Sequence, residues 1–240
     1  MELKKVRILG KPFHVINMEQ TLRYLKEKME QNEKQFIIAM NPEKIMKCQE
    51  DEELSNIIEE KATLLIVDGV GIVIAAKILG LPKIPRVTGV GLFEELVKVA
   101  HQDGRSVFLY GASPEVNEKA VKVLKERNPG IKIAGAIHGF EKDKELIIQT
   151  IEEAKPDLLF VALGTPGQEK WIAKHIDQLP AKVIMGLGGT FDVLTGNVKR
   201  APVWMQKMGI EWLHRLLKQP TRAGRMMNLP KFMLKVLKNR

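Results

Sequence analysis

Short apolar runs of strand length alternate with segments of helical period along most of this 240-residue chain, and that alternation restricts the fold more than any other feature. The apolar runs lie at residues 36–40, 64–67, 106–110, 131–136, 158–163 and 182–187. They are continuous rather than alternating apolar and polar, the pattern of strands buried on both faces. Between them lie helical stretches at 18–31, 70–79, 92–102, 114–127, 144–154 and 167–178. The first is entered by Asn17 and Gln20 in capping-box relation. Strands that must be covered on two sides, with a helix between each pair, predict a doubly wound α/β body with a mostly parallel sheet. Nothing in the chain repeats, and no Gly/Ser linker divides it.

Charge draws the one internal boundary. From Lys199 to Arg240 there are 11 Lys or Arg against a single acid, Glu211, whereas residues 1–198 hold 27 basic and 28 acidic side chains. The chain therefore reads as an α/β body over 1–198 followed by a basic helical C-terminal appendage over 199–240. In the appendage Met226, Leu229, Phe232, Met233, Val236 and Leu237 fall near one helical face while Lys231, Lys235 and Lys238 take the other. A basic amphipathic helix of this kind docks on an anionic bilayer, or else packs its apolar stripe on the body. Trp204 and Trp212 are open to the same two readings, interface anchor or core. A nucleic-acid partner is not expected, because the tail lacks Gly-rich or interleaved aromatic and basic recognition patterns. The start of the chain shows no apolar core of a signal peptide, and no run approaches the roughly 18 apolar residues of a spanning helix, so a cytoplasmic location is expected. The lone cysteine, Cys48, has no ligating neighbour and reads as a reduced, partly buried thiol.

In doubly wound sheets ligands bind beyond the carboxyl ends of the strands. Four such ends are polar and glycine-rich here: Asn41-Pro42-Glu43, Asp68-Gly69-Val70-Gly71, GTPGQE at 164–169 and GGTFD at 188–192. Gly188 and Gly189 let backbone approach a ligand, and the following helix N-termini suit a diphosphate. Yet the familiar nucleotide fingerprints fail. Ile74 and Phe191 stand where G-x-G-x-x-G needs its last glycine, and neither a P-loop nor a G-x-S-x-G elbow occurs. An oxidoreductase with a dinucleotide cofactor is the weaker alternative for that reason. Asp143 and Glu145 are the nearest approach to a paired-carboxylate metal site, but they sit in the charged stretch EKDKE and read as a solvated helix start.

The series VDGVGIV (67–73), PRVTG (85–89), HGF (138–140), GTPGQEKW (164–171), GGTFDVLTGNVKRAP (188–202) and GIEWLHRLLKQPTRAGR (209–225) resembles the WecG/TagA/CpsF glycosyltransferases, most closely the TagA-type N-acetylmannosaminyltransferases. The resemblance implies a Rossmann-like body. It also implies transfer of N-acetylmannosamine from UDP-ManNAc to N-acetylglucosaminyl-diphospho-undecaprenol, with inversion, without a cofactor or required metal, and at the inner face of a bacterial cell membrane. UDP-ManNAc uronate and UDP-glucose are the alternative donors. The same resemblance makes Asp68 the base, against a plain helix N-cap, and Arg86 an active-site cation, against a surface ion pair. It makes Gln168 a ligand of donor sugar or phosphate, against a helix cap. Asn41 is a substrate contact or a strand-end cap, and Asp192 a hydroxyl ligand or a turn cap. Arg215, Arg222 and Arg225 match arginines that close over the site in the family. Two departures stand out: Ala39 replaces a threonine common in the family, and Gly91 an acid. Both remove a polar group. A homo-oligomer is left open.

Overall fold

The computed structural model describes residues 3–199, 201–202, 204–205, 208, 211–218, 224 and 227–239, without the side chains of residues 215, 216 and 218. The six expected strands form one sheet, with no bound displaced by more than one residue from the apolar runs. An N-terminal hairpin precedes them, β1 (Lys5–Ile8) and β2 (Lys11–His14), antiparallel and two-stranded. The main sheet holds β3 (Gln35–Met40), β4 (Leu64–Val67), β5 (Ser106–Gly111), β6 (Lys132–Ile137), β7 (Leu158–Ala162) and β8 (Val183–Gly186). Its order is β4-β3-β8-β7-β5-β6, and every pairing is parallel. The hairpin is absent from the sequence reading because each strand has only four residues. Its signal is the Leu9-Gly10 turn, where both residues have positive φ, 48° and 80°.

Helices cover both faces. One face carries α1 (Met18–Glu30), α5 (Gly89–Gln102), α6 (Pro114–Arg127) and α9 (Thr190–Leu194), packed on strand residues such as Ile37, Ile66, Leu109 and Phe160. Phe93 of α5 meets Phe160 edge-on, with ring centroids 4.8 Å apart. The other face carries the hairpin, α2 (Pro42–Lys47), α3 (Glu52–Asn56), α4 (Val70–Ile78), α7 (Lys144–Ala154) and α8 (Gly167–His175), on residues such as Phe36, Ile38, Val67 and Val161. The alternation of Phe36, Ile37 and Ile38 between the two cores explains why the runs are apolar throughout. The capping box is present: Asn17 Oδ1 accepts from Gln20 N, and Gln20 Oε1 from Asn17 N. Asp143 caps α7 through Leu146 N, so the EKDKE stretch is the helix start that its charge pattern predicts.

Among the described residues, α10 (Glu211–Lys218) and α11 (Asn228–Lys238) follow in the C-terminal region. The apolar stripe of α11 divides. Phe232 and Val236 are fully buried in the same core as α2 and α4, and Met233 packs against it, whereas Leu237 stays exposed. The body thus takes the centre of the stripe, which packs on the apolar face presented by α2 and α4. Met226 lies outside the described residues. Cys48 is buried and unpaired, and burial pushes its thiol up to about 11, as its inert reading requires.

His14, 3% exposed, accepts a hydrogen bond from Leu65 N through Nδ1 at 3.0 Å. Burial, with Lys5 nearby, lowers its pKa to about 4. A histidine held neutral in the fold stabilises above its ordinary pKa near 6.5 and loses that contribution as pH falls toward 4. We expect stability in urea to drop by about 2 kcal/mol between pH 7 and pH 5, since each pKa unit is worth about 1.4 kcal/mol. His14→Asn, which keeps an acceptor for Leu65 N, is expected to flatten that slope. An unchanged slope in paired urea melts would show that another group is responsible.

Candidate active site

At the carboxyl edge of the sheet β3, β4, β7 and β8 release four loops around one cavity of about 470 Å³. This volume falls in the ordinary range of ligand sites. The chain leaves β3 toward β4 on one side, while β8 arrives beside β3 from the other half of the sheet. The cavity therefore lies at a topological switch point, where adjacent loops diverge and leave a crevice.

Asp68 follows β4 directly. Its carbonyl accepts from Arg86 Nε at 3.0 Å, which ties the PRVTG loop to the strand end. The room beside its carboxylate depends on glycine: a Cβ on Gly89 would lie 3.6 Å from Asp68 Oδ2 and 3.3 Å from Ala39 Cβ. The same loop caps α5, because Thr88 Oγ1 accepts from Gly91 N at 3.1 Å. Helix α5 accordingly begins three residues earlier than its apolar period indicated. A Cβ on Gly91 would meet Thr88 Oγ1 at 2.8 Å, so a larger side chain there requires this cap to shift. Ala39 sits on the cavity wall, where it contributes a methyl group.

The cavity brings together Asn41, Asp68, Arg86, Gln168, Gly188 and Gly189. Asn41 also caps α2, with Oδ1 accepting from Lys44 N at 2.8 Å. Gln168 lines the cavity but is 2% exposed, and its amide faces the protein: Oε1 accepts from Gly188 N at 2.8 Å and Nε2 donates to Glu169 Oε1 at 3.0 Å. It does not cap α8, whose N-cap, Pro166, has no side-chain hydrogen bond. Asp192 does not line the cavity. The GGTFD segment coils into α9, so that Thr190 reaches the cavity, Phe191 enters the core and Asp192 accepts from Val198 N through its backbone oxygen. Arg222, Arg225 and the side chain of Arg215 lie outside the described residues.

Three contributors were missed from sequence. Glu211 and Trp212 of α10 and Leu229 of α11 close one side of the cavity. Glu211, the only acid of the appendage, pairs with Arg86 at 3.0 Å, and Leu229 rests on Gly71, where a Cβ would meet it at 2.8 Å. A single acid in a cationic tail was the available signal. Lys44, which lines the cavity, and Glu169, which does not, form a buried ion pair at 2.7 Å. Trp212 thus lines the cavity, and Trp204 is exposed. Among the described residues, no group of three or more His, Cys, Asp or Glu is arranged to hold a metal ion.

The model of the glycosyl transferase WecG/TagA/CpsF family matches residues 6–240. Among curated relatives, the N-acetylglucosaminyldiphosphoundecaprenol N-acetyl-beta-D-mannosaminyltransferase of Bacillus spizizenii is 38% identical over 211 residues, 88% of this chain and 82% of that protein. The proteins of the same name from Bacillus subtilis and Staphylococcus aureus are each 37% identical, over 95% and 98% of this chain and 89% and 92% of their own lengths.

The Asp68–Gly69 turn packs against the Asn41–Pro42 turn so closely that a Cβ on Gly69 would meet Pro42 Cδ at 2.7 Å. Overpacking of this kind costs about 1–3 kcal/mol. Gly69→Ala is expected to lower stability by that amount in urea melts, because it moves two cavity loops apart. A variant with wild-type stability would show that the turns yield freely.

Proposed function

The chain belongs to the WecG/TagA/CpsF glycosyltransferase family, and from that premise we propose that it transfers N-acetylmannosamine from UDP-ManNAc to N-acetylglucosaminyl-diphospho-undecaprenol, with inversion at the anomeric carbon and without a metal. The observation that carries this reading is the placement of Asp68 in one cavity with the 164–169 and 188–190 loops. In the proposed step the acceptor hydroxyl attacks the anomeric carbon as its proton passes to the Asp68 carboxylate. The bond from that carbon to the diphosphate oxygen breaks, and UDP leaves with the electron pair. Direct displacement inverts the centre.

The leaving diphosphate gathers negative charge, which needs fixed positive groups more than it needs bulk solvent. Arg86 is at hand beside Asp68, and the backbone N–H groups opening α4 carry no side-chain cap. Arg215, Arg222 and Arg225 are proposed to supply the rest. Asn41, Gly188 and Gly189 then contact donor or acceptor, and Gln168 acts through the loop it holds.

No helix among the described residues is long and apolar enough to cross a membrane. A lipid-linked acceptor is reached in this reading by peripheral docking at the inner face of the membrane. Supporting it, the exposed large apolar side chains include Trp204, Met208, Leu217, Met227, Leu234 and Leu237, all in the basic C-terminal region.

Release of UDP from a panel of UDP-sugars, with a lipid-diphosphate acceptor analogue, tests donor and reaction together, and UDP-ManNAc is expected to be preferred. Asp68→Asn should lower kcat by about 10²- to 10⁴-fold, the usual contribution of a general base, with UDP affinity changed only a few-fold. Undiminished turnover would remove Asp68 from the role. For the membrane, Leu234→Ser with Leu237→Ser is expected to leave the melting temperature unchanged, because these side chains are 60% and 53% exposed. Co-sedimentation with anionic vesicles should fall by at least threefold. Equal co-sedimentation would assign docking to another surface.

A further inference from the structure

Among the described ion pairs, only that of Lys44 and Glu169 has both side chains almost wholly withdrawn from solvent, at 5% and 1% exposure. Lys44 Nζ donates to Glu169 Oε1 at 2.7 Å and to the carbonyl of Ala39, at the end of β3, at 3.0 Å. The same Glu169 oxygen accepts from Gln168 Nε2 at 3.0 Å and from Thr165 Oγ1 at 3.2 Å, whereas Oε2 has no partner. A buried ion pair contributes little net stability over an apolar pair of the same shape, and an orphaned carboxylate oxygen makes this one costlier still. The arrangement calls for a reason other than stability.

Gln168 supplies it. Its side-chain amide has an oxygen end and a nitrogen end of nearly equal shape, and only the oxygen can accept from Gly188 N. A carboxylate at the other end accepts but cannot donate, so it binds the NH₂ and forces the oxygen toward Gly188. Lys44 in turn allows the carboxylate to stay charged in a dry place and fixes it to β3. The chain of contacts runs from the β3 end through Lys44, Glu169 and Gln168 to the β8 end. Gly188 has a φ of +55° and open space where its Cβ would be, so the loop bends toward the cavity with its amide held from behind.

We propose that Lys44 and Glu169 are positioning residues of the donor pocket: together they set the polarity of the Gln168 amide and so hold the Gly188–Gly189 loop in its ligand-binding form. The loop's role toward UDP rests on the function proposed above, and the test separates the two. In Lys44→Met with Glu169→Met the apolar replacements fill the space, and the melting temperature should stay within a few degrees of wild type. Amide exchange at Gly188, read by NMR, should accelerate at least tenfold, and the Kd for UDP should rise about tenfold. In the wild-type protein, where no folding question arises, the Gln168 side-chain amide should be as ordered as rigid backbone, with S² about 0.85.

Unchanged Gly188 exchange in the double variant, or a mobile Gln168 amide with S² below about 0.6 in the wild type, overturns the positioning role. Faster exchange with UDP affinity equal to that of a wild type that binds UDP overturns it as well. A wild-type protein that does not bind UDP defeats the donor reading instead, and the exchange and order measurements then decide the positioning role alone.

Discussion

A parallel sheet that is buried on both faces has no place for polar side chains along its strands. In this chain the constraint governs four of the six strands: Phe36 through Met40 are all buried, and so are Leu64 through Val67, Leu158 through Ala162 and Val183 through Gly186. Polar chemistry is displaced to the strand ends, where backbone groups leave the ladder and need partners. Asn41, Asp68, Gln168 and the Gly188 loop all stand at such ends, and the switch between β3 and β8 gathers them around one opening. The site is a consequence of how the core is satisfied.

The C-terminal helices complete what the sheet begins. Through Phe232 and Val236, α11 enters the same core that supports α2 and α4, and through Leu229 it reaches the cavity wall at Gly71. Helix α10 brings Glu211 to Arg86. The basic segment therefore has two sides, one apolar and acidic toward the body, the other apolar and cationic toward solvent. Burying Phe232 and Val236 leaves Leu237 of the stripe, and Leu234 beside it, exposed to solvent. Arg86 occupies a junction: it is fastened to the Asp68 carbonyl and to the appendage at once, so a ligand that draws on its charge is coupled to both.

Interactions inside the wall are as consequential as those on it. Gln168 lines the cavity and yet spends its amide on Gly188 N and Glu169, and Lys44 stands one helical turn behind Asn41, which caps the helix that carries it. The Gln168 side chain is here committed to backbone geometry, and the ion pair beside it keeps that geometry polar in sense. The glycines at 69, 71 and 89 do the complementary work of bringing loops into contact without side chains between them.

By itself the sequence determined the sheet, the helices between its strands and the polar strand ends, because apolar runs and caps act over a few residues and leave a local signature. Asn17 and Gln20, or Asp143 before α7, are legible for that reason. It also marked Asp68, Arg86, Gln168 and the 188–189 glycines through motifs that long spacing makes specific. The hairpin at Lys5–His14 and the early start of α5 escaped it, since four-residue strands and a cap by Thr88 leave almost no periodicity to read. Tertiary structure alone decided which of these residues meet. Glu169 and Lys44 are 125 positions apart, as are Arg86 and Glu211, and no local pattern encodes either pairing. It also decided that Asp192 does not line the cavity and that half of an amphipathic stripe belongs to the core. A helix shows that it has an apolar face, but what that face touches depends on which surfaces the rest of the chain leaves uncovered.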